Sequence, residues 1–325
     1  MSMTFAKVFC FLVLVQVLVP NLAEGQGLKV GFYAKPCPNA EEIVNGVMKT
    51  VFKEALSLSG PLLRMHFHDC FVRGCDGSIL LNSVNKTAEK DSPPNLSLRG
   101  FGVIDRVKAA LEKQCPGVVS CSDILAIVAR DAVVATGGQF YNVETGRRDG
   151  SVSLLTDALN NLLPPTSDFA TLISGFTALG LNATDLAVLS GGHTIGTSHC
   201  SSFSDRLYNF TGKNDTDPSM DKNYIARLKS RCKINDQTTL VEMDPGSVRT
   251  FDIKYYSLIT KRRGLFTSDQ ALLNNTVTKS YINAQLKNGG ATFGHDFGVS
   301  MVKMGRIGVL TGSSGQIRKF CYKNN

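Results

Sequence analysis

The chain has no tryptophan in 325 residues, so no chemistry that depends on an indole ring is open to it. Beyond its first 25 residues it has no apolar run approaching the roughly 20 residues that a membrane-spanning helix needs. No Cys-x2-Cys pair is followed by a second such pair, so its nine cysteines do not read as a metal site. The 35 lysines and arginines form no long cluster, which argues against nucleic acid as a partner. There are no repeats and no low-complexity tracts.

What is present begins with an export signal. Residues 1–25 read as a signal peptide: Lys7 supplies the positive start, Val8–Val19 is apolar apart from Gln16, and Ala23-Glu24-Gly25 offers small residues for cleavage. The mature chain, 26–325, is then expected to start at Gln26, which can cyclise to pyroglutamate, and to be soluble. Cys10 leaves with the signal. Cys37, Cys70, Cys75, Cys115, Cys121, Cys200, Cys232 and Cys321 remain, an even set that reads as disulfides in an exported protein. Spacing alone leaves about 105 ways to pair them. The formal charge is +8, and loss of Lys7 and Glu24 leaves it unchanged. A solvated basic surface is the plain meaning; screened attraction to extracellular polyanions is the functional one. Six Asn-x-Ser/Thr sequons occur, at Asn85, Asn95, Asn182, Asn209, Asn214 and Asn274.

Apolar spacing predicts a mainly α protein with few, short strands. Helices are expected over Ala40–Leu56, Gly60–Asp69, Phe101–Gln114, Cys121–Val134, Phe169–Ala178, Asp185–Leu189, Ser219–Lys229, Asp252–Arg263, Thr276–Gln285 and Asp296–Gly305. Ser122-Asp123 offers a polar start to the fourth. Gly137–Asp149 is glycine-rich, and Leu163–Thr166 is a further breaker.

Two histidines carry the chemistry. His68 lies in LLRMHFHDCFVRGCDGSILL, four residues after Arg64, so on a helix a guanidinium and an imidazole share one face. His193 follows Gly191-Gly192 at the end of the apolar run in LAVLSGGHTIG. Taken singly, the first is an ordinary structural pair and the second a helix-end residue. Together they offer a fixed cation beside a base, and a lone histidine ligand, which is what a haem needs to cleave a peroxide O–O bond. With HFHDCFVxGCDxS and LSGGHTIG in hand, the chain from about Leu28 to Cys321 resembles the class III secretory plant peroxidases.

The resemblance implies two helical lobes sandwiching one haem b, with minor short strands. It implies His68 as the proton-transferring base, Arg64 as its cationic partner, and Phe67 as a wall at the haem edge. Asn95, in DSPPNLS, would accept from the Nδ1–H of His68 and would therefore carry no glycan. His66, two residues from His68, is read as structural. His193 would ligate the haem iron, with Asp269 accepting from its second nitrogen; the plainer role for Asp269 is a helix cap. The missing tryptophan excludes the proximal indole of the intracellular ascorbate and cytochrome c peroxidases. The implied bridges are Cys37–Cys115, Cys70–Cys75, Cys121–Cys321 and Cys200–Cys232.

Two calcium ions per chain are also implied. Asp69, Val72, Gly74, Asp76, Ser78 and Glu89 would hold one just after His68. Thr194, Asp244, Ser247, Thr250 and Asp252 would hold the other beside His193. Closely spaced hard oxygens suit Ca²⁺, although Asp, Ser and Gly are also common turn residues. Relatives hold phenolic donors with a Pro-x-Pro carbonyl; here Leu163 replaces the first proline, so the carbonyl survives and a fixed φ is lost. Tyr141 stands where many relatives have tryptophan, a packing change. Pro93 puts no aromatic ring at the edge.

The implied function is a secreted, monomeric peroxidase of the wall or apoplast. It would use H₂O₂ to oxidise small phenolic donors by one-electron steps through an oxo-ferryl porphyrin radical, with roles in lignification, wall cross-linking, peroxide removal and stress response. Only four residues follow Cys321, which favours the wall over the vacuole. A secreted Ca²⁺-binding glycoprotein is the competing class, and a haem protein tuned to make superoxide or auxin radicals shares the same site.

Overall fold

The computed structural model describes residues 27–325; the expected signal over 1–25 and the Gln26 start lie outside the described residues. The fold is mainly α. Its first half contains α1 (Ala40–Ala55), α2 (Ser59–Val72), α3 (Phe101–Gln114), α4 (Cys121–Ala135), α5 (Leu155–Asn161), α6 (Phe169–Ala178) and α7 (Ala183–Ser190). Strand β1 (Thr197–His199), α8 (Ser204–Tyr208), α9 (Lys222–Arg231) and β2 (Leu240–Glu242) follow. The chain then forms α10 (Lys254–Thr260), α11 (Thr267–Ala271), α12 (Thr276–Lys287) and α13 (Phe293–Met304). The ten expected helices are all present, α3 and α6 with the expected ends and the other eight with shifted ones. Helices α5, α8 and α11 were not expected; at seven, five and five residues they are too short to show a period.

Two large apolar cores and a small satellite organise these elements. Val44, Met48, Ile104, Val107 and Ile124 belong to the first core, built by α1, α3 and α4. Phe176, Leu186, Tyr256, Ile282 and Phe297 belong to the second, built by α6, α7, α10, α12 and α13. Helix α2 lies between them. Its Leu62 and Met65 enter the first core, and its Leu63, Phe71 and Val72 enter the second. A helix buried on every side has few positions left for polar groups, so the polar residues it does carry need internal partners. The satellite of Phe203, Leu207, Tyr224 and Leu228 lies beside the two-stranded β1–β2 sheet.

The disulfides join Cys37 to Cys115, Cys70 to Cys75, Cys121 to Cys321 and Cys200 to Cys232, the pairs that the resemblance implied. One cap differs from expectation. Ser120, not Ser122-Asp123, starts α4, its Oγ accepting from the Asp123 amide. Asp123 is instead fully buried against Arg147 at 2.8 Å, and it also accepts from the Tyr33 hydroxyl and the Gly146 amide. Arg147 reaches on to the Gly305 carbonyl, so the pair joins the start of α4 to the end of α13. Removing one partner of a buried pair strands the other's charge. Asp123→Ala should cost about 3–5 kcal/mol, read as a lower midpoint in chemical denaturation. An unchanged midpoint would remove this pair from the account.

Candidate active site

Helix geometry sets the first half of the site. Arg64 and His68 are one turn apart on α2, and Arg64 Nε donates to His68 Nε2 at 2.9 Å. A guanidinium has no acceptor, so His68 Nε2 must present a lone pair, and the ring hydrogen of the neutral imidazole sits on Nδ1. That nitrogen faces Asn95 Oδ1 at 2.5 Å. The amide is itself oriented, because Asn95 Nδ2 donates to the Glu89 carbonyl at 2.7 Å. Asn95 is 1% exposed, which leaves no room for a glycan. Burial, then the Arg64 charge, pushes the His68 imidazole well below its ordinary value, with Asn95 opposing weakly. Arg64 is anchored by Ser97 Oγ at 2.8 Å and the Pro94 carbonyl at 2.7 Å. Burial lowers it to about 10, still cationic at neutral pH. Phe67 meets the His68 ring edge-on at 5.4 Å.

His66 points elsewhere, as expected. It is buried beside the Cys70–Cys75 bridge, and burial with the Arg147 charge pushes it down to about 3. The ligand atoms of His66, Cys70 and Cys75 lie within 4.8 Å of one another. Both sulfurs are in the bridge, so no thiolate is on offer.

The second half rests on the single helical turn Gly191–Thr194 that continues α7. Gly191 is required by packing: a Cβ there would lie 2.6 Å from the Phe293 ring and 2.7 Å from the Tyr256 hydroxyl. His193 Nδ1 meets Asp269 Oδ1 at 2.8 Å, and Tyr255 donates to the same oxygen at 2.7 Å. The other Asp269 oxygen accepts from the Phe266 amide at 2.8 Å. Asp269 therefore caps α11 and also accepts from His193. Burial would raise its carboxyl, but His193 and these donors bring it below the usual range. His193 Nε2 is left without a partner among the described residues, on a side chain that is 40% exposed. The two halves meet where α2 starts, since a Cβ on Gly60 would come within 2.9 Å of Gly196 Cα. His68 is eight residues further along α2, about 12 Å up its axis.

Two clusters of oxygens flank the histidines. After His68, Asp69, Asp76 and Glu89 are all buried, and neither Glu89 oxygen nor Ser78 Oγ has a hydrogen-bond partner. Burial raises Glu89 to about 8, and burial with the Asp76 and Glu89 charges raises Asp69 well above its ordinary value. Gly74 turns the chain at φ 96°, and a Cβ there would strike the Gly308 carbonyl at 2.6 Å. The Val72 carbonyl accepts from Asn161 and the Gly74 carbonyl from the Asp76 amide, each keeping a second lone pair.

Beside His193, β1 and β2 pair antiparallel and bring the turn after β2 against Thr194. Thr194 Oγ1 then faces Asp244 Oδ2, the Thr250 carbonyl and Asp252 Oδ1 at 3.3–3.4 Å. One hydroxyl hydrogen cannot serve three acceptors. Ser247 Oγ donates to Asp252 Oδ2 at 3.0 Å, and burial with the Asp252 charge raises Asp244 to about 6.

A family profile described as Peroxidase matches residues 44–288. Peroxidase 27 of Arabidopsis thaliana is 59% identical over 309 residues, 95% of this chain and 96% of that protein. Peroxidase 56 of the same plant is 58% identical over 315 residues, 96% of each chain. Peroxidase 1 of Oryza sativa subsp. japonica is 55% identical over 306 residues, 92% of this chain and 94% of that one. The chain belongs to the class III plant peroxidases.

It is accordingly a haem peroxidase that uses H₂O₂. The residues present fit a haem: His193 offers a bare, oriented Nε2, and Arg64 and His68 are held on the helix whose start packs against the segment following it. In the segment that follows α5, the Pro164 and Pro165 carbonyls accept from the Ser167 and Ser268 amides, whereas the Leu163 carbonyl takes no such bond. The Leu163 side chain packs on Gly175. Tyr141 touches both large cores, consistent with a packing change. Asn85, Asn182, Asn209, Asn214 and Asn274 are all exposed, and Asn274 ends a helical turn. Sequence reasoning missed Ser97 and Pro94 behind Arg64, the Glu89 carbonyl behind Asn95, and Tyr255 behind Asp269. Pro94, between Pro93 and Asn95, and Ser97, inside the Asn95 sequon, lay beside residues already singled out, and Glu89 was named only as a calcium ligand.

Proposed function

We propose that this peroxidase is a secreted, monomeric enzyme of the cell wall or apoplast. It oxidises small phenolic donors, and His68, Arg64, Asn95, His193 and Asp269 carry the reaction. Haem b bound at His193 Nε2 supplies the iron at which the peroxide O–O bond breaks and the oxidising equivalents that donors later quench. His68 Nε2 takes a proton from one peroxide oxygen and returns it to the departing one. Arg64 stabilises charge on that departing oxygen, and Asn95 keeps the ring hydrogen on Nδ1. Asp269 accepts from His193 Nδ1, which orients the ligand and raises its basicity. Phe67 walls the haem edge, and the free Leu163 carbonyl serves as donor acceptor.

The observation that carries this reading is the Arg64 donor on His68 Nε2, which requires the tautomer a base needs. A binding protein has no use for it. Reconstituted protein should show a Soret band in stoichiometric amount and turn over guaiacol with H₂O₂; a haem-loaded protein that leaves H₂O₂ intact would overturn the assignment.

The two oxygen clusters support one Ca²⁺ each. Crowded, largely buried carboxylates, among them Glu89 with neither oxygen bonded, need a counter-charge, and hard oxygens choose Ca²⁺. The first set is Asp69, Val72, Gly74, Asp76, Ser78 and Glu89; the second is Thr194, Asp244, Ser247, Thr250 and Asp252. Prolonged chelation should release two ions per chain and lower both activity and melting temperature. A ligand at 100 times its Kd contributes about 2.7 kcal/mol per site. Elemental analysis finding no calcium in active, freshly purified protein would sink this claim. The +8 charge supports retention on polyanionic wall polysaccharide, reversible by salt. No single described helix is long and apolar enough to cross a membrane.

A further inference from the structure

The aromatic rings behind His193 form a line that the peroxide chemistry does not use. The His193 ring lies 5.6 Å from Tyr255, Tyr255 lies 5.6 Å from Tyr256, and Tyr256 lies 6.2 Å from Tyr281, centroid to centroid. Tyr255 and Tyr256 are at most 1% exposed, whereas Tyr281 on α12 is half-buried and reaches the surface. The line therefore runs from the proximal histidine to solvent without an aliphatic gap. The branches at Phe266 and Phe293 are phenylalanines, which are much harder to oxidise than a phenol.

The hydroxyl partners differ along the line. Tyr256 donates to the Ala187 carbonyl at 2.9 Å, and a carbonyl is no base. Tyr281 donates to Asp296 Oδ2 at 3.0 Å, a carboxylate that also accepts from Thr292 Oγ1 at 2.8 Å. Of the two, only Tyr281 can lose its proton as it loses an electron and still touch a donor from outside.

We propose that Tyr281 is a second oxidation site, serving phenolic groups on chains too large to reach the haem edge, with Tyr256 and Tyr255 carrying the electron to His193. Tyr281 gives one electron inward and its phenolic proton to Asp296, becoming a neutral phenoxyl. A donor phenol at the surface then gives it one electron and releases its own proton to solvent. Asp296 returns the stored proton, and Tyr281 is restored. Two such cycles consume one H₂O₂ and two donor phenols, whose two electrons and two protons reduce the peroxide to two waters, and leave two donor radicals. The relay rests on the haem seat at His193.

The test uses the full haem-loaded enzyme. Wild-type protein treated with H₂O₂ and a nitroso spin trap, without donor, should carry a trap adduct on Tyr281, located by peptide mass spectrometry. Tyr281→Phe should lose it. Asp296→Asn should lose most of it although the tyrosine remains, a result that mere surface exposure of Tyr281 would not give. Tyr256→Leu should also lose it, and Tyr256→Phe, which keeps the ring in the core, should diminish it. Turnover of tyramine coupled to a large dextran should fall in Tyr281→Phe relative to turnover of free tyramine. Free tyramine turnover by wild-type enzyme reads the His68–His193 site itself. No adduct on Tyr281 beside intact free-tyramine turnover, or an unchanged ratio of tethered to free turnover in Tyr281→Phe, overturns the relay alone.

Discussion

His68→Leu should bind haem normally yet react with H₂O₂ roughly 10²–10⁴-fold more slowly, the usual worth of a positioned acid–base group. The expectation follows from atoms. Nε2 is the one nitrogen on α2 that must be a lone pair, because the only group bonded to it is a guanidinium. Leucine fits the same buried space and removes both proton transfers at once. Arg64→Leu should cost less, about 10²-fold, since it removes charge stabilisation and leaves the proton's carrier in place. Asn95→Val should slow the same step by releasing the Nδ1 hydrogen from its acceptor. Donor oxidation should suffer less than the peroxide step in all three. Stopped-flow mixing with H₂O₂ decides it: near-wild-type reaction by His68→Leu means that another group is the base.

On the other side of the site, His193→Ala should abolish tight haem binding, because no other described side chain there combines a bare ring nitrogen with a carboxylate behind it. Asp269→Asn separates ligation from tuning. Asparagine can still accept from the Phe266 amide and so keep the start of α11, but it no longer offers a charge to His193. Haem affinity should drop about 10–100-fold, the usual effect of removing such a supporting carboxylate. The reduction potential should rise, favouring Fe(II). Haem titration and a redox titration read the two effects separately. Haem retained by His193→Ala with an unchanged spectrum would refute the ligand assignment.

Residues that act on near neighbours were legible in the sequence. Arg64 and His68 are one turn apart, so a helix is enough to bring them together, and the apolar period drew that helix. The proton's position on His68 was legible only through the family resemblance, because it depends on a chain through Asn95 and Glu89 that only the folded backbone assembles. Asp269 shows the same limit. A Ser-Asp pair before an apolar stretch reads locally as a cap, and its bond to His193 spans 76 residues. The cap of α4 failed for the opposite reason. Ser122 and Asp123 look like an exposed polar start, but their side chains turn inward to Cys75 and Arg147. Polarity alone does not say which way a side chain faces.

The bridge between Cys121 and Cys321 spans 200 residues of sequence. At a synthesis rate of about 5–20 residues per second, Cys121 exists for roughly 10–40 s before its partner is made. During that wait, Cys37, Cys70, Cys75 and Cys115 are already synthesised and close by in the chain, and each can capture it. Correct pairing therefore depends on Cys37 closing with Cys115, Cys70 with Cys75 and then, as they are made, Cys200 with Cys232, so that only Cys121 is left open. The last staple of the molecule is one that the growing chain has to be kept from fastening early.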